Sequence, residues 1–482
     1  MIGYLRLRQL FAVSAALWFL CGIPEIRAQE ASARFIQERL VENQRQRELE
    51  KYMKLRPEEK AVLVEAKKLL LDFGGWADLL YTEFHNDDNS RREKDIFDAN
   101  LSVDTNLWFQ TKWRPRLGGD YVYEHSIFVQ FSNFYIARWP NDNPVVRDDN
   151  DGPHVDLLFG ELDLRYAQVR FGRQFLNLGQ GIVYSNIHDG VRWLISAWDL
   201  ELMGFAATTL PHEENIDYSV PGFDKTSERY FTGTQLSWRP AEELEFYSYF
   251  LAQEDQSDPE PFNGQDYDYH SQYWGFGGNV FNLRGFRAWS EYAAETGSSA
   301  VFGSGERKPI LAHAANVGTA YRMTYQTKPE ILLEYGFGSG DRDRTTVTNT
   351  EGGNVLHKDH NFMGFGVYPS SYALAPVLSN LHILKMSASV APLDFIWQLE
   401  PLRTSLDFYL FWKNKQQGGI YDIDATEDGR TVGQELDVTL DWPIVSDILF
   451  SMRYGVFFPG SAYSGGANDA EHHVSTLLTF RF

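Results

Sequence analysis

The chain has 482 residues, enough for two or three soluble domains or one large barrel. Hydrophobic residues make up 43%, which excludes wholesale disorder, and a formal net charge of −22 excludes a nucleic-acid partner held by phosphate neutralisation. Cys21 is the only cysteine, so a disulfide scaffold is excluded as well.

At the start, Arg6 and Arg8 precede a short apolar stretch from Leu10 to Leu20, and Ile26-Arg27-Ala28 leads into a polar region. This layout predicts a signal peptide over residues 1–28, cleaved after Ala28; an interfacial anchor is the alternative. The apolar part is too short for a spanning helix, which needs about 20 residues. Trp18-Phe19-Leu20 before Cys21 lack the small residues of a lipoprotein signal. Residues 29–71 are charged and helix-forming, with Pro57, Glu58 and Glu59 as start signals and Lys67, Lys68 and Gly74-Gly75 as stop signals. They are predicted to form a helical periplasmic extension, either simply solvated or docking a periplasmic export partner.

From residue 72 to 482 the pattern changes to period two. In QELDVTLDW, Leu436, Val438, Leu440 and Trp442 alternate with Glu435, Asp437, Thr439 and Asp441. In SLDFYLFWK, Leu406, Phe408, Leu410 and Trp412 alternate with Asp407, Tyr409, Phe411 and Lys413. NVGTAYRMTYQ sets Val317, Tyr321, Met323 and Tyr325 against Asn316, Gly318, Arg322 and Gln326. The last stretch, HVSTLLTFRF, puts Val474, Thr476, Leu478, Phe480 and Phe482 on one face. Such alternation marks strands with one apolar side.

Two sorts of connection follow. KWRP, SWRP and DWP place Trp113, Trp238 and Trp442 just before a proline; proline interrupts the ladder and tryptophan favours the boundary of lipid and water. NDNPVVRDDNDGPHVD, QEDQSDPEPFNGQDYDYH, GDRDRTTVTNTEGGNVLHKDHN and YDIDATEDGRTVG are long and acidic. Short turns at one end and long loops at the other is the plan of outer-membrane barrels, and at about ten residues per crossing the chain supplies about 16 to 18 strands. Aromatics at 15% would furnish two interfacial girdles. The fold expected is all-β: a transmembrane antiparallel β-barrel of the bacterial outer membrane with the short helical extension, in which HVSTLLTFRF is the closing strand.

Basic residues recur inside strands. Arg165, Arg322, Lys385 and Arg453 each fall on the less apolar face of their segment. Facing lipid near the midplane would cost about 2 to 4 kcal/mol, so these side chains are expected in the lumen, where they attract anions. Interior salt bridging with Glu435, Asp437, Asp441, Asp407 or Glu291 is the competing account.

Residues 159–199, FGELDLRYAQVRFGRQFLNLGQGIVYSNIHDGVRWLISAWD, carry a strand, a tight turn, an FGRQ strand and a DGVR segment. Together with YGFGSGDRD at 335–343, LSNLHILKMSASVAP at 378–392 and RYGVFFPGSAY at 453–463, they resemble the alginate export family of outer-membrane barrels. The resemblance implies a monomeric barrel of about eighteen strands that passes an anionic polysaccharide, alginate-like, or a related solute through an arginine-lined constriction. It also implies Arg165, Arg170, Arg173 and Arg192 as pore-lining contacts. The length of the turn near Ala167 is not fixed by the sequence, so parity does not decide the face of Arg173.

The function expected is passive, selective passage of an anionic polysaccharide or organic anion, with no cofactor and no nucleic acid, in contact with outer-membrane lipid and lipopolysaccharide. A general porin is the alternative. Ser185, His188, His472 and His473 are the pieces a hydrolase would use, but no GxSxG elbow or HExxH pair supports that reading. Asp422, Asp424 and Asp428 alternate, yet Gly429 comes too late for an EF-hand loop. A soluble secreted β-protein remains the third possibility.

Overall fold

The computed structural model describes residues 69–85, 97–113, 124–140, 147–164, 166–211, 213, 227–257, 269–301, 304–344, 347, 355–422, 424–465 and 469–482. The expected signal peptide, the helical extension up to residue 68 and Arg165 therefore lie outside the described residues. The first described element is β1 (Leu69–His85), so Leu69 to Leu71, assigned above to the extension, pair with Trp113 to Thr111 in a strand.

Period-two alternation builds eighteen strands. After β1 come β2 (Phe97–Trp113), β3 (His125–Pro140), β4 (Arg147–Asp163), β5 (Ala167–Leu178) and β6 (Tyr184–Ala197). β7 (Leu200–Thr208), β8 (Arg229–Ala241), β9 (Leu244–Asp255), β10 (Tyr269–Leu283), β11 (Phe286–Val301) and β12 (Ser304–Arg322) follow. The last six are β13 (Glu330–Gly338), β14 (Leu381–Val390), β15 (Arg403–Lys413), β16 (Thr431–Val445), β17 (Ile448–Pro459) and β18 (Glu471–Arg481).

Each strand pairs antiparallel with the next, and β1 also pairs with β18 from Trp76↔Arg481 to His85↔His472. At the seam, the Gly75 N–H donates to the Phe482 carbonyl and the Phe482 N–H to the Gly75 carbonyl, both at 3.0 Å. The sheet is thus a closed barrel, the arrangement that leaves no strand edge to face hydrocarbon. The eighteen strands fall at the upper end of the expected range.

The two rims differ in the direction the sequence predicts, though not without exceptions. At one, residues 198–199, 242–243, 284–285 and 446–447 join strands, with longer connections at 114–124 and 391–402; at the other lie the connections 209–228, 256–268, 339–380 and 414–430, with a short one at 302–303. The short-turn rim is periplasmic in outer-membrane barrels. Trp113, Trp238 and Trp442 all sit near it, Trp113 and Trp238 about half exposed on the outer face. The β8–β9 and β16–β17 registers shift between Trp238 and Ala241 and between Pro443 and Val445, where Pro240 and Pro443 withhold ladder N–H groups.

Candidate functional site

Strand parity assigns the lumen face. Along β16, Glu435, Asp437 and Thr439 are buried while Val438 is 38% exposed; along β15, Asp407, Tyr409, Phe411 and Lys413 are buried while Leu406 is 48% exposed. Directly opposed residues share a face, so the registers carry this assignment around the ring.

Much of the interior is filled by residues 355–380, the described end of the connection between β13 and β14. This segment is apolar enough to pack inside: Phe362, Met363, Phe365, Tyr368, Leu374 and Leu378 join one hydrophobic cluster with the wall residues Tyr184, Phe205, Phe231, Tyr273 and Phe411. Burying its backbone requires partners for the N–H and C=O groups, and the wall supplies them. The Phe365 N–H donates to the Val183 carbonyl at 2.8 Å, and Asn186 Nδ2 to the Phe365 carbonyl at 2.6 Å. The Met363 N–H donates to Glu295 Oε2 at 3.0 Å. On the far side of the segment, the Ala373 and Leu374 N–H groups donate to the two oxygens of Glu435 at 2.6 and 3.1 Å, and the Tyr372 N–H to Asp437 at 3.2 Å. Phenols close other carboxylates: Tyr368 donates to Glu334, and Tyr247 and Tyr249 to Glu291.

This changes the meaning of the inward acids. Glu435, Asp437 and Glu291, candidate salt-bridge partners on sequence grounds, are occupied by loop amides and phenols. Asp407 does form the bridge, with its carboxylate 3.0 Å from Lys385 Nζ. The role of Glu295 and Glu334 as acceptors for the inward segment has no local sequence signal, since their partners lie tens of residues away.

The predicted cations divide between the faces. Lys385 lies inward, opposite Tyr409, with Nζ 5.1 Å from that ring. Arg453 lies inward between Thr439 and Ser475, its guanidinium 5.4 Å from the ring of Tyr372 in the inward segment. Arg453 therefore meets the inward segment where Tyr372 hydrogen-bonds Thr439 at 2.9 Å, and Lys385 lies beside Tyr409, whose hydroxyl donates to the Ser370 carbonyl of that segment at 3.2 Å. Arg170 shares the lumen face with Glu161, which it grips at 2.7 Å, and lies 4.2 Å from the ring centre of Phe159; Arg192 is opposite Arg170 and buried Phe205. Arg322 is inward at the end of β12, 2.8 Å from Glu330.

The structure places Arg173 on the other face. It is opposite Leu158 and Asp189, one residue out of phase with the buried pair Gln174 and His188, and so on the side of exposed Leu158, Phe171 and Val191. Asp189, 3.0 Å away, and the Val155 carbonyl, 2.9 Å away, satisfy its guanidinium there. Gly172 just before it has φ +114, and a Cβ there would collide with the Leu158 carbonyl oxygen. Arg165 lies outside the described residues; its neighbours Leu164 and Tyr166 belong to the turn between β4 and β5.

The arc β1–β4 presents a different lumen surface, polar and acidic. Asn106 Nδ2 donates to Asp104 at 2.9 Å, Gln130 Nε2 to Asn106 at 3.0 Å, and Ser132 Oγ to Asp156 at 2.6 Å; Asp78 accepts from Thr479 across the seam.

The hydrolase pieces do not converge. Ser185 and His188 have opposite parity on β6; His188 contacts the Tyr184 hydroxyl at 2.6 Å and Glu213 at 3.1 Å. His472 and His473 are adjacent in β18 and point to opposite faces. Asp422 accepts from the Tyr463 hydroxyl at 2.6 Å, and among the described residues no cluster of metal-ligand type occurs.

A family model described as Alginate export matches residues 129–476. The chain belongs to the alginate export family. Among solved structures it is similar to Pseudomonas aeruginosa OccK7, at 10% identity and TM-score 0.52 over 86% of this chain and 98% of that one. Pseudomonas aeruginosa OccK8 matches at 11% and 0.51 over 86% and 98%, and Acinetobacter baumannii OccAB1 at 11% and 0.50 over 86% and 96%. At these identities the likeness is one of fold. No curated protein matches the chain. A member of the alginate export family with a closed eighteen-strand barrel is an outer-membrane channel, and its outward apolar face meets bacterial outer-membrane lipid.

Proposed function

We propose that this alginate export family member passes an anionic solute, an alginate-like polysaccharide or a smaller organic anion, down its gradient through a constriction between the inward segment and the basic wall. One observation carries this reading: Arg453 faces the lumen beside Tyr372 and Lys385 faces it beside Tyr409, and of the neighbouring acids Asp407 pairs with Lys385 while Glu435 and Asp437 are engaged by the segment's own amides, which leaves Arg453, among the described residues, as the cation without a carboxylate bridge to it. Cations at a narrow point of low dielectric attract anions more strongly than the same charges in open water. Arg170, Arg192 and Arg322 extend the basic surface along the wall.

A salt-gradient reversal potential in planar bilayers tests the reading. The wild type should favour chloride over potassium, and Lys385→Glu with Arg453→Glu should lower that ratio at least severalfold. A cation-preferring wild type would overturn it. A general porin is the second reading, favoured by Asp78, Asp104 and Asp156 on the β1–β4 arc. It predicts that liposomes carrying the protein swell as fast in a neutral sugar as in a uronate of equal size.

A further inference from the structure

The ring is closed, but its ladders are not equally long. Among the described residues, β4 and β5 are joined by six pairs, from Asp163↔Gln168 to Leu158↔Arg173, whereas every other ladder has nine or more. Beyond Leu158, β4 runs on to Arg147 with β3 as its strand partner, and beyond Arg173, β5 runs on to Leu178 with β6 as its partner. β6 in turn leaves β7 at Asp189↔Thr208. Arg173 and Asp189 are directly opposed, so both strands of the β5–β6 hairpin leave the wall at one level. A strand crosses hydrocarbon in about 9 to 11 residues, so the β4–β5 ladder stops short of the outer boundary. Lipid-facing side chains continue above that level on β3, where Phe131, opposite Val155, is 38% exposed.

Above this step the hairpin lies inside the wall. Phe171, on the outward parity of β5, is 48% exposed, while Phe175, further on with the same parity, is 4% exposed. Ile187, opposite Phe175 and out of phase with lumen-facing His188, packs against Phe128, Leu157 and Phe159 on the inner face of β3 and β4. The outer face of the hairpin thus rests on the inner face of the wall, a lap joint held by side chains where a ladder would otherwise run. Its other face, with Leu176, Leu178, Ile182 and Val183, joins the cluster that contains Phe362 and Phe365 of the inward segment. Gly172 and Gly190 face each other just below the step, and Gly172 has φ +114, so both strands can bend there. Arg173 fastens the joint. Its Nε and Nη2 donate to Asp189 at 3.0 and 3.2 Å, and its Nη1 donates to the Val155 carbonyl of β4 at 2.9 Å.

From this geometry we infer a lateral port: the β5–β6 hairpin, hinged at Gly172 and Gly190, swings away from β4 and lets an acyl chain from the outer half of the bilayer into the apolar part of the lumen. Opening any full ladder would strip backbone N–H and C=O groups into hydrocarbon at several kcal/mol each. Parting the hairpin from β4 breaks apolar contacts and the bond from Arg173 to Val155 instead. Both sides of the joint suit a hydrocarbon chain. Leu158, Phe171 and Val191 face lipid below the opening, and Leu176, Phe205 and Phe231 lie behind it. The Phe365 N–H, bonded to the Val183 carbonyl, makes the inward segment move with the hairpin. The port stands apart from the anion reading, whose cations Lys385 and Arg453 lie on β14 and β17.

The test is photolabelling in vesicles whose phospholipid carries a diazirine on one acyl chain, with labelled residues mapped by mass spectrometry. In the wild type, label should reach Leu176, Phe205 and Phe231 behind the joint as well as Leu158 and Phe171 on the outer face. Arg173→Met with Asp189→Asn removes the fastening without leaving a lone charge in lipid, and should raise the interior fraction severalfold. A parallel sample, with a free diazirine fatty acid added to unlabelled vesicles, separates two routes into the lumen, because a fatty acid in water can also enter through the mouth. Interior label from the phospholipid in the wild type supports the lateral port. Interior label from the fatty acid alone, or from neither probe, overturns it. Unheated and boiled gel mobility shows whether each preparation is folded, and the wild-type result decides the question should the double variant fail to fold.

Discussion

At the scale of single residues, the lumen is organised by carboxylates that accept backbone N–H groups. Glu435 takes two, from Ala373 and Leu374. Glu435→Leu would leave both amides buried without acceptors, at a cost of about 1 to 3 kcal/mol each. The inward segment should then become a protease target in detergent-solubilised protein; Glu435→Gln, which keeps one acceptor, should have a smaller effect. In the long-loop connection 414–430, burial pushes the Asp422 carboxyl up, opposed by the hydrogen bond from Tyr463. A raised acid contributes stability below its unfolded pKa and loses it as pH rises through the folded value. Cleavage of this connection should therefore speed up as pH rises from acid towards neutral, and Asp422→Asn should flatten that dependence.

At the scale of elements, the inward segment occupies the lumen against the walls of β6, β11 and β16. Its path past the start of β6 is tight. The Val367 N–H donates to the Gly181 carbonyl at 2.8 Å, and a Cβ on Gly366 would collide with that same oxygen. Gly366→Val should unseat this part of the segment without touching any strand. Single-channel conductance should rise severalfold, approaching that of a channel lacking residues 355–380; unchanged conductance in both variants would mean that the segment does not limit flow. The strands tolerate such changes because their ladder is closed independently of the loop.

For the whole molecule, lipid is the solvent of the outer face, and stability depends on which face a substitution meets. Leu79, exposed near the middle of β1 and opposite Leu478 and Val103, and Ser102, buried on the lumen face of β2, provide the contrast. Leu79→Arg should cost about 2 to 4 kcal/mol in vesicle-reconstituted unfolding, and Ser102→Arg less, because the lumen is polar. Intact protein should run compactly on unheated gels and shift on boiling. Mobility that does not respond to heating would argue against the closed ring.

The sequence by itself determined the periodicity, and with it the faces of β12, β15, β16 and β18, the tryptophan-proline strand ends and the distinction between a short-turn rim and an acidic long-loop rim. These are readable because parity is local: each residue's side follows from its neighbour's two positions away. The face of Arg173 needed the structure, since it depends on where β5 begins after the turn. So did the inward path of residues 355–380, whose run NFMGFGVYPSSYALAP has no strand period and whose amides are satisfied by Glu295 and Glu435, far off in sequence. Pairings between distant strands and a loop's choice of interior over solvent are set by which buried amides find acceptors, and that is decided by the closed barrel rather than by any stretch of the chain.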